Sequence, residues 1–193
     1  MRSDYSIMEF LPYGKQWIDD DDIAEVTRVL QSDFLTTGPE IDEFERDLAE
    51  QTGAQYAVVV SNGTAALHLA VAALELEPGG RGITIPNTFV ATSNALIYNG
   101  LHPEFVDIGA RTYVMDPKRL ETTLAEHGVD VVIPVHFAGH PADLEEIAAI
   151  SRRHGARVIE DAAHAIGGHY ADGNPVGSCA HSDMTTFSFH PVK

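Results

Sequence analysis

Apolar segments with strand-like and helix-like periods alternate along most of the chain, and this alternation restricts the fold more than any other feature. Amphipathic or alanine-rich segments predict helices at residues 62–76, 88–99, 117–127 and 142–154. Short apolar segments around them predict strands at residues 56–60, 82–85, 104–108, 131–135, 157–160 and 184–189. Repeated strand–helix units form a largely parallel sheet with helices on both faces. The predicted fold class is therefore α/β.

Two more helices are predicted before the first strand. The first begins at the consecutive aspartates 19–22, whose charges favourably meet the positive end of the helix dipole. The second begins at Pro39, a residue suited to the first helical turn, and ends at Gly53. A tight turn is predicted at Asp172-Gly173. At 193 residues, the chain is long enough to bury a sizeable core in one domain.

The charge of the chain argues against nucleic acid and membrane surfaces as partners. Twelve Lys and Arg residues against 29 Asp and Glu residues give a formal net charge of −17. Binding to a phosphate backbone or an anionic membrane needs clustered basic side chains instead. No apolar run approaches the ~18 residues of a membrane span. Residues 1–5 include an acid and lack the apolar segment of a signal peptide. We therefore expect a cytoplasmic protein.

The cysteine and histidine content gives no metal site. Cys179 is the only cysteine, which excludes an intrachain disulfide and a Cys-based zinc site. His136 and His140 have the spacing of helical zinc ligands, but Gly139 and Pro141 disfavour a helix there. We expect structural or substrate-facing roles for most of the histidines, and no bound metal.

Polar residues follow three of the predicted strands, at the positions where parallel sheets bind their ligands. Residues 61–65 lead from a strand into a helix, so free amides and the hydroxyls of Ser61 and Thr64 could hold a phosphate. An ordinary capped helix start is the alternative. Neither a Walker loop nor a Gly-x-Gly-x-x-Gly dinucleotide motif is present.

The other two strand ends carry acids and a lysine. Glu160 and Asp161 end an apolar strand, where a carboxylate needs a partner such as a protonated pyridine nitrogen; a solvated strand end or a helix N-cap is the alternative. Lys193 follows the last strand. A lysine held in a site can lose its proton and form a Schiff base, although most lysines are simply solvated. Phe89 is either a core residue or a ring stacked on a cofactor.

Together these motifs resemble those of fold-type I pyridoxal-phosphate (PLP) enzymes, and more narrowly those of the DegT-type nucleotide-sugar aminotransferases. The similarity covers nearly the whole chain. It is carried by Thr-Gly-Pro at 37–39, Ser-Asn-Gly-Thr-Ala-Ala-Leu at 61–67, Pro-Asn-Thr-Phe-Val-Ala-Thr at 86–92, Pro-Val-His at 134–136, Glu-Asp-Ala-Ala-His-Ala at 160–165 and Phe-Ser-Phe-His-Pro-Val-Lys at 187–193. Residues 32–39 and the last six residues are similar to a subgroup that acts in the pseudaminic acid pathway.

The resemblance implies roles for four residues around the cofactor ring. Lys193 would bind PLP as a Schiff base and then move protons between cofactor and substrate carbons. Asp161 would pair with the pyridine nitrogen and keep it protonated, so that the ring can act as an electron sink. His164 would lie near the ring oxygen, and Phe89 would stack on the ring face.

The resemblance also implies residues for the cofactor phosphate and the substrate. Gly63, Thr64 and Ser188 would hold the phosphate. Thr36 and Thr37 would lie on the substrate side, since they belong to the subgroup motif.

The implied reaction transfers an amino group from L-glutamate to C4 of a UDP-4-keto-6-deoxy-N-acetylhexosamine, in a homodimer with shared active sites. Residues 1–193 would form the N-terminal segment and most of the PLP-binding large domain, with the C-terminal small domain absent. One alternative is another 4-keto or 3-keto nucleotide-sugar aminotransferase. A second is a sugar dehydratase of the same family, which carries His where Lys193 stands. The third is a non-catalytic binding module, if the chain truly ends at Lys193.

Overall fold

A five-stranded parallel sheet forms the centre of the computed structural model, which describes residue 14 and residues 16–193. The prediction about residues 1–5 lies outside the described residues. Every neighbouring pair of strands is parallel, in the order β2-β1-β3-β4-β5. The strands are β1 (Arg81–Thr84), β2 (His102–Phe105), β3 (Val131–Val132), β4 (Arg157–Asp161) and β5 (Met184–Thr186). The predicted α/β class with a largely parallel sheet is confirmed.

Six α-helices accompany the sheet in the described part of the chain, and each corresponds to a predicted one. They are α1 (Asp20–Leu30), α2 (Pro39–Thr52), α3 (Gly63–Ala72), α4 (Ala91–Tyr98), α5 (Pro117–Glu126) and α6 (Leu144–Arg153). Asp19 begins α1 in a reciprocal capping box with Asp22, and Gly53 ends α2 in a left-handed conformation. A 3₁₀ turn, Phe137–Gly139, separates His136 from His140.

Helices pack on both faces of the sheet because successive strand residues point in opposite directions. Ile83 of β1 faces a core that also contains Leu120 of α5 and Ile147 of α6. Val131 of β3 and Ile159 of β4 face the other core, which includes side chains of α3 and α4. The same alternation places Asp161 on the α3–α4 side of β4 and Glu160 on the opposite side.

Residues 56–60 were predicted to form a buried strand, and this prediction is wrong for the described structure. No strand is assigned there, and Tyr56 and Val58 are 78% and 77% exposed. The physical reason is that no described strand runs alongside the segment to pair with its backbone. The Val59 N–H donates instead to the Glu45 carboxylate of α2, at 2.7 Å. An open, largely apolar cleft of about 1040 Å³ lies between residues 54–63 and residues 183–190, and we call it the cleft.

Several strands are also shorter than predicted. The predicted strand 131–135 is reduced to Val131–Val132, because Pro134 has no N–H for a continuous ladder. Pairing resumes in a single parallel bridge between Val135 and Asp161. The strand predicted at 104–108 is observed at His102–Phe105, and the strand predicted at 184–189 ends at Thr186.

The described residues contain neither a helix that could span a membrane nor a cluster of metal ligands. No helix among them combines the length and apolar character needed to cross a membrane. No cluster of three or more His, Cys, Asp or Glu side chains suited to a metal ion occurs in the same part of the chain. In place of a metal site, His136 is fully buried and makes two hydrogen bonds to protein groups.

Candidate active site

Three of the predicted site residues come together beyond the carboxyl ends of the strands. His164 lies in the turn after β4, Phe89 lies between β1 and α4, and Lys193 follows β5. The Lys193 Nζ atom is 3.1 Å from His164 Nε2 and 5.8 Å from the centre of the Phe89 ring. The Phe89 ring is 66% exposed, so its face is open for stacking rather than part of the core.

Asp161 is the buried acid of the site. It is 5% exposed at the last position of β4. Its Oδ2 atom accepts a hydrogen bond from the Thr92 hydroxyl at 2.6 Å, and Oδ1 accepts one from the Ala163 N–H at 3.2 Å. A carboxylate can accept about four hydrogen bonds, so two protein donors leave room for a further donor from a ligand. The chemistry of the site therefore suits a protonated ring nitrogen as an additional donor.

The environment of His164 favours the neutral imidazole. Burial lowers the pKa of His164 below its ordinary value, the positive charge of Lys193 lowers it further, and the negative charge of Asp161 opposes both. A neutral ring has an unprotonated nitrogen that can accept a hydrogen bond from the Lys193 ammonium group. His164 is thus suited to bind Lys193 without adding a second positive charge.

The start of α3 lies directly against the segment that follows β5. A Cβ atom placed on Gly63 would lie 3.1 Å from Ser188 Cβ and 3.4 Å from the Phe187 carbonyl oxygen. Only glycine permits this approach without a shift of the neighbouring atoms. The first amides of a helix have no partner within it and favour an anion. Gly63, the exposed Thr64 and Ser188 therefore form a small cradle that suits a phosphate group.

Thr36 and Thr37 lie elsewhere, in the loop between α1 and α2. Both are exposed, and Thr37 has a positive φ of 53°. The Thr37 hydroxyl donates to the Thr36 carbonyl oxygen at 2.7 Å. Among the residues that the structure describes, neither threonine makes a hydrogen bond to Lys193, His164 or Asp161.

Sequence reasoning missed two features of this site. Thr92 was seen only as the end of a motif, whereas its hydroxyl contacts Asp161 directly. The signal that could have identified it is its spacing of four residues from Thr88 in the predicted helix 88–99, which would place both on one helix face; in the structure, Thr88 lies before the start of α4.

The second missed feature is a network of hydrogen bonds on the opposite face of β4. The Glu160 carboxylate is 0% exposed and accepts hydrogen bonds from four side chains: His136 at 2.7 Å, Thr185 at 2.7 Å, Tyr170 and Ser182. The Nδ1 atom of His136 accepts from the Ala142 N–H at 3.0 Å, so the ring hydrogen is on Nε2 and points to Glu160.

This network keeps Glu160 ionised although it is buried. Burial by itself raises the pKa of Glu160, but the hydrogen bonds from His136, Ser182 and Tyr170 bring it below its ordinary value. The same burial and the neighbouring carboxylate raise the pKa of Tyr170. β4 therefore carries two buried acids back to back, Asp161 facing the cluster and Glu160 satisfied within the protein.

Comparison with a protein-family model matches residues 16–193 to the DegT/DnrJ/EryC1/StrS aminotransferase family. Among curated proteins, the spore coat polysaccharide biosynthesis protein SpsC of Bacillus subtilis is 41% identical over 184 residues, which are 95% of this chain and 46% of SpsC. The chain thus spans about half the length of the curated relatives that it matches.

Solved structures give the same result. Spr1654 of Streptococcus pneumoniae, assigned as a sugar aminotransferase and solved in its PLP form, superposes with a TM-score of 0.88 at 33% identity, covering 95% of this chain and 50% of that one. PseC of Helicobacter pylori, described as an aminotransferase of pseudaminic acid biosynthesis, superposes with a TM-score of 0.87 at 30% identity, covering 94% and 48%. On the family match across residues 16–193, the chain belongs to the DegT/DnrJ/EryC1/StrS aminotransferase family.

Proposed function

We propose that the protein containing this chain is a PLP-dependent sugar aminotransferase, with Lys193 as the residue that binds the cofactor covalently. The observation that carries the proposal is the cluster of Lys193, His164 and Phe89 beside the buried Asp161. Spr1654, a relative by sequence and structure, is described in PLP and PMP forms, which supports the choice of cofactor. Bound PLP supplies an electron sink for the carbon that gains or loses the amino group.

Each residue of the cluster has a defined task in this proposal. The Lys193 amine would bind the cofactor and would move the proton at the reacting carbon. His164, whose lowered pKa keeps it neutral, orients the Lys193 amine through Nε2. Phe89 would cover one face of the ring and exclude water from it. Asp161 would accept a hydrogen bond from the ring nitrogen and balance its positive charge.

The phosphate is assigned to the start of α3. Backbone amides at Gly63 and Thr64 and the hydroxyl of Ser188 would donate to its oxygens. Because the chain has a net charge of −17, the attraction for an anionic cofactor or substrate has to come from these local donors rather than from the overall field.

The proposal also names the two substrates. We expect L-glutamate as donor and a UDP-4-keto-6-deoxy-N-acetylhexosamine as acceptor, aminated at C4. The subgroup motif at residues 32–39 and the 30% identity to PseC support this choice, with Thr36 and Thr37 on the substrate side. A homodimer with shared sites and a cytoplasmic location are part of the same proposal. Residues 1–193 would supply most of the cofactor-binding domain.

Borohydride trapping of the full-length protein tests the cofactor assignment. The purified protein should show the visible absorption of lysine-bound PLP, and reduction should abolish that band and fix the cofactor on the peptide that contains Lys193. The Lys193→Arg variant should lose the band, whereas the matched control Lys118→Arg, at an exposed position on α5, should keep it. Mass mapping of the reduced cofactor to any other residue would contradict the assignment.

A half-reaction tests the substrate. The pyridoxamine form is prepared with L-glutamate, and candidate 4-keto and 3-keto UDP-sugars are then added one at a time. Recovery of the PLP spectrum with the 4-keto-6-deoxy-N-acetyl sugar supports amino transfer to C4. Recovery of the PLP spectrum with a 3-keto sugar only would indicate a 3-keto nucleotide-sugar aminotransferase of the same family. A non-catalytic binding module would be favoured if L-glutamate formed no pyridoxamine form and if protein loaded directly with pyridoxamine phosphate recovered no PLP spectrum with any keto sugar.

A further inference from the structure

Thr92 makes the shortest hydrogen bond to the buried acid of the site. It lies in the first turn of α4 and is 0% exposed. Its hydroxyl oxygen is 2.6 Å from Asp161 Oδ2 and 2.7 Å from the Thr88 hydroxyl oxygen. The Phe89 carbonyl oxygen is a third neighbour, at 3.1 Å.

The directions of these hydrogen bonds follow from the number of hydrogens. A threonine hydroxyl has one hydrogen, and an ionised carboxylate can only accept. The bond to a charged acceptor is the stronger and here the shorter one, so Thr92 donates to Asp161 rather than to the Phe89 carbonyl. Thr88 must then donate to Thr92. The result is a directed chain from Thr88 through Thr92 to Asp161.

These hydrogen bonds, from Thr88 to Thr92 and from Thr92 to Asp161, fix how the carboxylate can face a ligand. Oδ2 is held by Thr92 from α4, and Oδ1 is held by the Ala163 N–H from the turn after β4. With a donor on each oxygen, the plane of the carboxylate is set by two different elements. The same chain begins next to Phe89, so the residue proposed to cover the cofactor ring and the acid proposed to meet its nitrogen are joined through two hydroxyl groups.

We propose that Thr92 is a positioning residue: its hydroxyl, oriented by Thr88, holds the Asp161 carboxylate in the orientation in which it accepts a hydrogen bond from the ring nitrogen of PLP. This inference rests on the proposed function and adds a residue to it. Thr92 acts only through Asp161.

The inference is tested by two cofactors that differ at the ring nitrogen. Full-length protein freed of cofactor is titrated with PLP and with 1-deaza-PLP, in which a CH group replaces that nitrogen. The nearly isosteric Thr92→Val variant should bind PLP about tenfold more weakly than wild type. This is the size of effect expected when a hydrogen bond to a charged group is lost. Its affinity for 1-deaza-PLP should change by less than about twofold, since no ring nitrogen depends on the carboxylate.

Two variants separate positioning from general stability. Thr92→Ser restores the hydroxyl and should recover PLP affinity to within about twofold of wild type. Thr84→Val is the matched control, because Thr84 is equally buried but donates to a backbone carbonyl, that of Ile133 at 2.9 Å. Any effect of Thr84→Val should be the same for both cofactors.

The outcomes are distinct. If Thr92→Val weakens the binding of PLP and of 1-deaza-PLP by the same factor, or changes the binding of neither, the inference is overturned while the proposed function stands. If wild type binds both cofactors equally, the assignment of Asp161 fails, and the inference fails with it. If wild type binds no PLP at all, the proposed function fails as well.

Discussion

At the scale of single residues, the site depends on which groups carry charge. His164 and Lys193 are 3.1 Å apart, so two positive charges there would repel each other. The lowered pKa of His164, caused by burial and then by Lys193, removes one of them. His164 can therefore accept a hydrogen bond from the Lys193 amine without placing a second positive charge beside it.

The lowered pKa of His164 predicts a pH dependence of stability. In the unfolded chain His164 takes up a proton near its ordinary value of 6.5, whereas the folded protein does so only at lower pH. The unfolded state thus binds more protons between the two values, and stability falls as the pH falls through this window. We expect His164→Asn to remove this contribution to the loss of stability at low pH, because asparagine does not titrate.

The measurement is the free energy of unfolding of the cofactor-free full-length protein, by chemical denaturation, between about pH 7.5 and pH 5. The difference between wild type and His164→Asn should shift in favour of the variant as the pH falls. His164→Gln should behave in the same way, since neither amide titrates. A difference that is constant with pH would contradict the lowered pKa.

The Glu160 network predicts a cost in stability for the loss of one hydroxyl. Tyr170→Phe keeps the ring but removes a donor to the buried carboxylate, and the same hydroxyl also accepts the Gly177 N–H at 3.3 Å. We expect a loss of about 1–3 kcal/mol in the free energy of unfolding. Tyr98→Phe, at an exposed tyrosine of α4, should cost less than about 0.5 kcal/mol. Equal effects of the two changes in chemical denaturation would exclude the network as a source of stability.

At the scale of elements, much was predictable because it depends on local sequence patterns. The order of strands and helices follows from apolar periodicity, and the opposite directions of Glu160 and Asp161 follow from the geometry of a strand. What could not be predicted depends on contacts between distant segments. Thr92 and Asp161 are 69 residues apart, and no periodicity relates them. Residues 56–60 have the composition of a buried strand, but a strand also needs a neighbour to pair with.

The close approach of α3 to the segment after β5 predicts the effect of a single methyl group. Gly63→Ala places a Cβ atom 3.1 Å from Ser188 Cβ, so the two segments must move apart by a few tenths of an ångström. Because this contact shapes the proposed phosphate cradle, we expect roughly tenfold weaker binding of PLP to the full-length protein. The free energy of unfolding should change by less than about 1 kcal/mol, since alanine also favours the helix.

The control for this change is Gly128→Ala, because a Cβ atom there meets nothing within 4 Å. It should leave the affinity for PLP at the wild-type level. Unchanged PLP affinity in Gly63→Ala would show that the start of α3 does not hold the phosphate. The double variant Gly63→Ala/Ser188→Gly, which removes the atom that the new methyl group meets, should restore the contact distance but lose the hydroxyl donor.

At the scale of the whole molecule, the 193-residue chain leaves large apolar side chains in contact with water. Tyr56, Val58, Leu69 and Phe189 line the cleft and are each more than half exposed. On α1, the apolar side chains of Ile23, Val26 and Leu30 are exposed as well, and no residue of this helix is buried. Apolar patches of this kind are uncommon on proteins that remain monomeric.

We therefore expect the 193-residue chain, produced alone, to self-associate with increasing concentration in sedimentation experiments and to bind a hydrophobic dye. The double variant Val58→Asp/Leu69→Asp should reduce both, because it places charges on two exposed sites of the cleft. Its free energy of unfolding should stay within about 1 kcal/mol of wild type, since exposed positions contribute little to the core. A chain that stays monomeric and binds no dye, or a double variant that unfolds, would mean that the cleft is closed in solution.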